Sequence, residues 1–152
     1  MSYARKHPAD SRDNSLLAGI IITDALKVTE KGRRFSLRFK RTLWLASGQR
    51  CAYCGVGIDS HKAMHVDHFI PLCNGGADDI GNYVCSCPTC NTAKCSNSIE
   101  GLRISIALRM SPIAGIISPS QALKLIGAGV QLPISCGEFH FEMVGGAQHE
   151  AI

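Results

Sequence analysis

No acidic residue occurs between positions 31 and 50. Seven bases do: Lys31, Arg33, Arg34, Arg38, Lys40, Arg41 and Arg50. Residues 51–100 reverse the bias with two bases and five acids, and the two flanks are balanced, so the net charge of +4 comes from one block. A basic block beside an acidic, Cys-rich stretch suits a protein that holds a polyanion next to a site for cations. Taken alone, the block reads equally well as a solvated face. The chain also lacks a leading apolar segment. Met1 to Asp10 is polar and charged, unlike a secretory leader. The run Leu16 to Ile22 contains Gly19 and is far too short to span a bilayer. There is no internal repeat and no low-complexity tract. The polar start, and the placing of four of the eight Cys in Cys-x-x-Cys pairs, argue against a secreted disulfide framework. The expectation is a cytoplasmic, reducing location and no membrane partner.

What is present centres on residues 51–94. The stretch opens with Cys51-Ala-Tyr-Cys54 and closes with Cys87-Pro-Thr-Cys90-Asn91-Thr-Ala-Lys94. Two Cys-x-x-Cys knuckles predict one tetrahedral zinc with four thiolate ligands. The gap between them is longer than in a simple zinc ribbon and can hold a folded insert. That insert contains His65-Val-Asp67-His68-Phe-Ile-Pro71, then Gly75-Gly76, then Asn82. The remaining cysteines, Cys73, Cys85, Cys95 and Cys136, read as small buried apolar residues.

The 152 residues fit one domain, or a small domain with extensions. Residues 1–14 read as a flexible polar arm. Residues 15–30 fit a short helix or a strand equally well, because Ile20-Ile21-Ile22 is β-branched. Lys31 to Arg34 reads as a turn. Phe35, Phe39, Leu43 and Ala46 make one apolar stripe, which predicts a helix over 35–47 that ends at Gly48. A strand is expected over 63–69, a loop from Pro71 to Gly81, a return strand from Asn82 to Cys85, and a helix from Asn91. Leu102, Ile106 and Met110 predict a helix over 99–110. Ser118-Pro119-Ser-Gln121 is a capping signature for a helix that ends at Gly127. Ile134 to Glu142 alternates like a strand, with Phe139 and Phe141 on one face. The fold class is therefore α+β: a zinc-stapled ββα core over 35–98, an N-terminal extension over 1–34 and a C-terminal extension over 99–152.

The insert carries what hydrolysis of a phosphodiester requires. A base must activate water, and a divalent cation must neutralise charge on the phosphate. His68 supplies the base. Asp67 supplies the hard carboxylate oxygen that Mg²⁺ prefers, and Asn91 a second, neutral oxygen. Asn82 can orient His68 by hydrogen bonding. Lys94, one helical turn after Asn91, can meet a phosphate as a point charge. Arg38 and Arg41 lie off the apolar stripe of their helix and can follow a nucleic-acid backbone. Asp67 and His68 can share a site only if the strand ends or bulges there, since neighbours on a strand face opposite ways.

The order Cys-x-x-Cys, Val-Asp-His-x-x-Pro, Gly-Gly, Asn, Cys-x-x-Cys-Asn-x-x-Lys resembles the HNH endonuclease family with a four-Cys zinc site. The resemblance covers about residues 48–95. It implies His68 as general base, Asp67 as metal-binding acid and Asn82 as the Asn that orients the His. Asn91 stands where the family's last His does, which makes a His-Asn-Asn variant. The resemblance implies a metal-dependent endonuclease acting on DNA, with structural Zn²⁺ and catalytic Mg²⁺ or Mn²⁺ and no small-molecule substrate. Oligomeric state stays open. Two other readings fit less of the chain. A zinc module that binds DNA without cutting it has no use for Asp67, His68, Asn82 and Asn91 together. A nucleobase deaminase would use His-x-Glu and Pro-Cys-x-x-Cys. His65-Val-Asp67 and Cys87-Pro-Thr-Cys90 miss that pattern, and Cys51 and Cys54 would have no role.

Overall fold

A computed structural model describes residues 7–95 and 98–144. Its centre is an antiparallel hairpin of strands that we label β3 (His65–His68) and β4 (Tyr83–Ser86). Their register pairs His65 with Ser86, Val66 with Cys85, Asp67 with Val84 and His68 with Tyr83. Every residue of β4 is buried, as expected for a strand covered on both faces. The helix α3 (Pro88–Lys94) follows at once. It begins three residues earlier than the sequence suggested. Pro88 takes a first-turn position, where its missing N–H costs nothing, and the Cys87 sulfur accepts from Cys90 N at 3.3 Å. The fold is the expected α+β type, with a ββα unit at its heart.

The long link between β3 and β4 turns at Gly75-Gly76. Gly75 has φ +87°, a conformation that suits glycine. A Cβ on Gly76 would lie 1.8 Å from the Ile70 carbonyl oxygen, so the link closes only with a glycine there.

Four elements of the N-terminal half precede this unit. The ambiguous segment 15–30 resolves into both options: α1 (Ile22–Ala25), then β1 (Leu26–Thr29), which pairs with β2 (Gly32–Phe35). The turn is only Glu30-Lys31, and Arg33 and Arg34 belong to the strand. Helix α2 (Leu37–Ala46) starts where the Ser36 hydroxyl accepts from Phe39 N. Its buried residues are Phe39, Leu43 and Ala46, the expected stripe.

Residues 7–14 are not a free arm. Pro8–Ser11 forms a 3-10 turn capped by His7. The buried Arg12 guanidinium donates to the carbonyls of Tyr83 at 2.5 Å and Ile80 at 2.9 Å. Burial lowers its pKa, but the two carbonyls satisfy its donors.

The C-terminal part adds α4 (Ile99–Arg109), α5 (Pro119–Gly127) and α6 (His140–Val144). Helix α5 has both arms of the expected capping box: Ser118 N to Gln121 Oε1 at 2.8 Å and Gln121 N to Ser118 Oγ at 3.1 Å. In α4, Leu102 is buried but Met110 is 85% exposed, so the apolar stripe stops short of the helix end. The expected strand over 134–142 is absent. Phe139 and Phe141 do bury together, stacked at 5.6 Å, but Phe141 sits in α6. Tertiary contacts override the alternating pattern. Glu142 accepts from Phe139 N at 2.7 Å and forks onto Arg103 at 2.7 and 2.9 Å, while Phe141 N donates to Ala52 O. Of the four remaining cysteines only Cys85 is buried; Cys73, Cys95 and Cys136 are exposed. No helix among the described residues is long and apolar enough to cross a membrane.

Candidate active site

The four knuckle cysteines come together first. The sulfurs of Cys51, Cys54, Cys87 and Cys90 all lie within 4.8 Å of one another. Cys54 and Cys87 are 3.8 Å apart. That is the edge of a tetrahedron with Zn–S bonds of about 2.3 Å, an edge of about 3.8 Å. The thiols also hydrogen-bond to one another. Hydrogen bonds from Cys51 and Cys90 pull the Cys54 thiol down to about 2, and the one to Cys54 helps push Cys51 up to about 12. A cation among them would favour thiolate at all four, and the donor set fits a structural zinc.

The residue inside the first knuckle links this cluster to the cleft. Tyr53 is 1% exposed, and its hydroxyl donates to Asp67 Oδ2 at 2.5 Å. Burial and the Asp67 charge raise the tyrosine pKa, so it remains a donor. The Lys94 ammonium reaches the same Asp67 oxygen at 3.0 Å and donates to the His68 carbonyl at 2.8 Å. Lys94 is fully buried. The expected phosphate contact would need the ammonium in solvent; here it faces inward, as the counter-charge of Asp67. A buried carboxylate requires such a partner.

His68 is the last residue of β3, and the strand ends there as the geometry demanded. Asp67, His68 and Asn91 line one cleft of about 490 Å³, together with Pro71, Leu72, Cys73, Thr92 and Cys95. The His68 ring is held by a residue that the sequence did not reveal. Its Nε2 lies 2.7 Å from Asp78 Oδ1, and Asp78 Oδ2 lies 2.9 Å from Arg33 Nε. The Tyr83 hydroxyl donates to Asp78 at 3.3 Å. Burial opposes the Asp78 charge, but the hydrogen bonds from His68 and Arg33 outweigh it and set the carboxyl below its ordinary value. An ionised Asp78 only accepts, so Nε2 carries a proton, which in the neutral ring leaves the lone pair on Nδ1. Tyr83 and Phe35 stand against the ring at 5.3 and 6.4 Å.

Asn82 acts on the loop, not on the ring. Its side chain accepts from Ile70 N at 2.9 Å and donates to the carbonyls of Ile70 at 3.0 Å and Ala77 at 2.9 Å. The clamp joins the start of the 69–82 link to the residue before Asp78. Asn91 lies 3.1 Å from His65 Nδ1 through its amide nitrogen. Arg38 and Arg41 are exposed. Arg38 lines a separate hollow with Leu16, Ile20 and Asp24, away from the cleft.

With that geometry in view, residues 51–97 match the family model described as HNH endonuclease. Residues 51–97 are an HNH endonuclease domain. Comparison with curated proteins and with solved structures found no match. The HNH domain accounts for the knuckles, β3, β4 and α3. It leaves Arg33 outside, although Arg33 is bonded to the group that holds His68. The basic block was the signal for Arg33, and Asp78-Asp79 after the Gly-Gly turn was the signal for Asp78. Neither could be placed without knowing that the two hairpins meet.

Proposed function

We propose that this protein hydrolyses DNA phosphodiester bonds, with His68 as the general base. The observation that carries the reading is that His68, paired with Asp78, lines one cleft with Asp67 and Asn91. Nδ1 of His68 takes a proton from water as the water oxygen attacks phosphorus, the bond from phosphorus to the leaving sugar oxygen breaks, and that oxygen takes up a proton from solvent. Asp78 steadies the imidazolium that forms, and Arg33 keeps Asp78 ionised. Asp67 and Asn91 offer hard oxygen donors to a divalent cation such as Mg²⁺ or Mn²⁺. When bound, such a cation neutralises charge on the phosphate and the leaving oxygen. One carboxylate and one amide are a sparse set, so a cation held there would need further oxygens from substrate and water. Lys94 holds the Asp67 carboxyl group in position.

The test is cleavage of plasmid by purified protein with and without Mg²⁺ or Mn²⁺, beside His68→Ala. Loss of a general base lowers turnover by roughly 10²–10⁴-fold. Gel-shift affinity for the same DNA should stay nearly intact, because the base acts only in the transition state. A His68→Ala protein that cuts at the wild-type rate would overturn the assignment. A wild-type protein that binds DNA and cuts it with neither cation would reduce the site to a zinc-stabilised binding module.

A further inference from the structure

The β1–β2 hairpin stands out from the HNH domain. Its burial pattern leaves Lys27, Val28, Thr29, Gly32, Arg33 and Arg34 exposed, and only Leu26 and Phe35 root it. The register sets Lys27 directly opposite Arg34 and Val28 opposite Arg33. Neighbours on a strand face opposite ways, so the ribbon has two distinct faces. One carries Arg33, bonded to Asp78. The other carries Lys27 and Arg34 side by side. Like charges directly opposite on a sheet destabilise it. Among the described residues neither Lys27 nor Arg34 makes an ion pair with an acid. The protein thus keeps a repulsive pair on a ribbon whose stability is marginal by itself.

The surroundings indicate what relieves the repulsion. Arg33, Arg34 and Lys40 line a hollow of about 330 Å³ with Met64, His65 and Val66. His65 meets Asn91, which lines the catalytic cleft. The basic hollow and the cleft therefore adjoin across His65. A ligand that spans both must carry many regularly spaced negative charges and include a phosphodiester. Duplex DNA does, with one negative charge per about 1.7 Å of axis, and its major groove admits a two-stranded ribbon.

We infer that the β1–β2 hairpin is a duplex-binding arm, with Lys27 and Arg34 gripping the phosphate backbone that flanks the bond in the cleft. The inference rests on the nuclease reading for the position of that bond. It places recognition on a hairpin outside the HNH domain, not on the exposed face of α2. Arg33 then joins the arm to the catalytic base, since one strand carries both the Asp78 contact and a grip residue.

The experiment uses the full chain with its zinc and a 30-base-pair duplex. Binding is measured by gel shift in the His68→Ala background, with and without Lys27→Glu/Arg34→Glu. Cleavage is measured with His68 intact. The double variant should raise Kd about tenfold or more at 0.1 M salt and reduce the slope of log affinity against log salt by about 2. The maximal cleavage rate at saturating duplex should stay within about twofold, with KM raised. The single variant Lys27→Glu places opposite charges across the pair, so its melting temperature should not fall even as duplex affinity does. Unchanged affinity and salt slope would overturn the arm. So would a fall in the melting temperature of Lys27→Glu, or a lost maximal rate with unchanged KM. If the wild type cuts nothing yet the double variant still binds tenfold more weakly, the nuclease reading fails and the arm stands.

Discussion

Asp67 and His68 are adjacent in sequence and line one cleft, yet they are secured from opposite sides. Asp67 is held from within by Tyr53 and Lys94, which are 1% exposed and fully buried. His68 is held from the rim by Asp78 and Arg33, whose side chains are 23% and 40% exposed. The inner half is part of the fold: its tyrosine sits between two cysteines of the four-Cys cluster, and its lysine ends the helix that carries Cys90. The outer half is assembled from two surface loops and hairpins. Electrostatics follow the same division. A buried pair that loses one member leaves an uncompensated charge. A rim pair that loses one member is largely rescued by water. Damage to the inner half should therefore appear first as unfolding, and damage to the outer half as lost chemistry in a folded protein.

The largest effect should come from the zinc cluster that anchors the inner half. Apparent binding energies of structural zinc reach about 10–16 kcal/mol in small domains, and site and fold form together. Stripping the metal with a chelator, or replacing Cys87 with Ser, should unfold β3, β4 and α3 and free Tyr53. Circular dichroism with metal analysis tests this. A well-folded protein free of zinc would show that the apolar core suffices.

Next is Lys94→Met, which keeps the bulk and removes the charge. It strands the Asp67 carboxylate with only the Tyr53 hydroxyl. The expected loss is about 3–5 kcal/mol in denaturant unfolding. Adding Asp67→Asn should restore much of that stability and none of the cutting. If Lys94→Met were as stable as wild type while DNA binding fell, the lysine would be a phosphate contact after all.

The same division explains what could be read from the sequence. The four-Cys cluster was legible because its spacing is local, and the strand end that brings Asp67 and His68 to one cleft was legible from Pro71. The α2 stripe and the Ser118 capping box were legible for the same reason: each is settled within a few turns of its own helix. The direction of Lys94 was not legible, because nothing local says whether a lysine after Asn91 points out to solvent or in toward Asp67. Asp78 and Arg33 are 45 residues apart and meet only when two hairpins pack. The Phe139 and Phe141 alternation was real as a burial pattern but not as a strand. The Arg103–Glu142 fork and the Ala52 carbonyl decided the backbone there.

The smallest stability effect, and the sharpest probe of the rim, is Asp78→Asn. The side chain is partly exposed, so its ion pairs contribute under about 1 kcal/mol. The sign with pH is fixed by the depressed Asp78 pKa. A lowered carboxyl pKa adds stability above the unfolded value of 3.8, and that stability is lost as pH falls through the folded value. The small gap between wild type and Asp78→Asn should thus be flat through neutral pH and close only below pH 3.8. Turnover should respond far more. An amide can donate to Nε2, which moves the ring proton to Nδ1 and removes the lone pair that must accept from water. The loss should then approach that of His68→Ala, roughly 10²–10⁴-fold, with KM for duplex little changed. Asp78→Glu, which keeps an acceptor-only group, should recover part of it. If Asp78→Asn unfolds the protein as Lys94→Met does, the rim is as structural as the interior and the division between the two halves fails. If it is stable and cuts at the wild-type rate, the His68 tautomer is set by something other than Asp78.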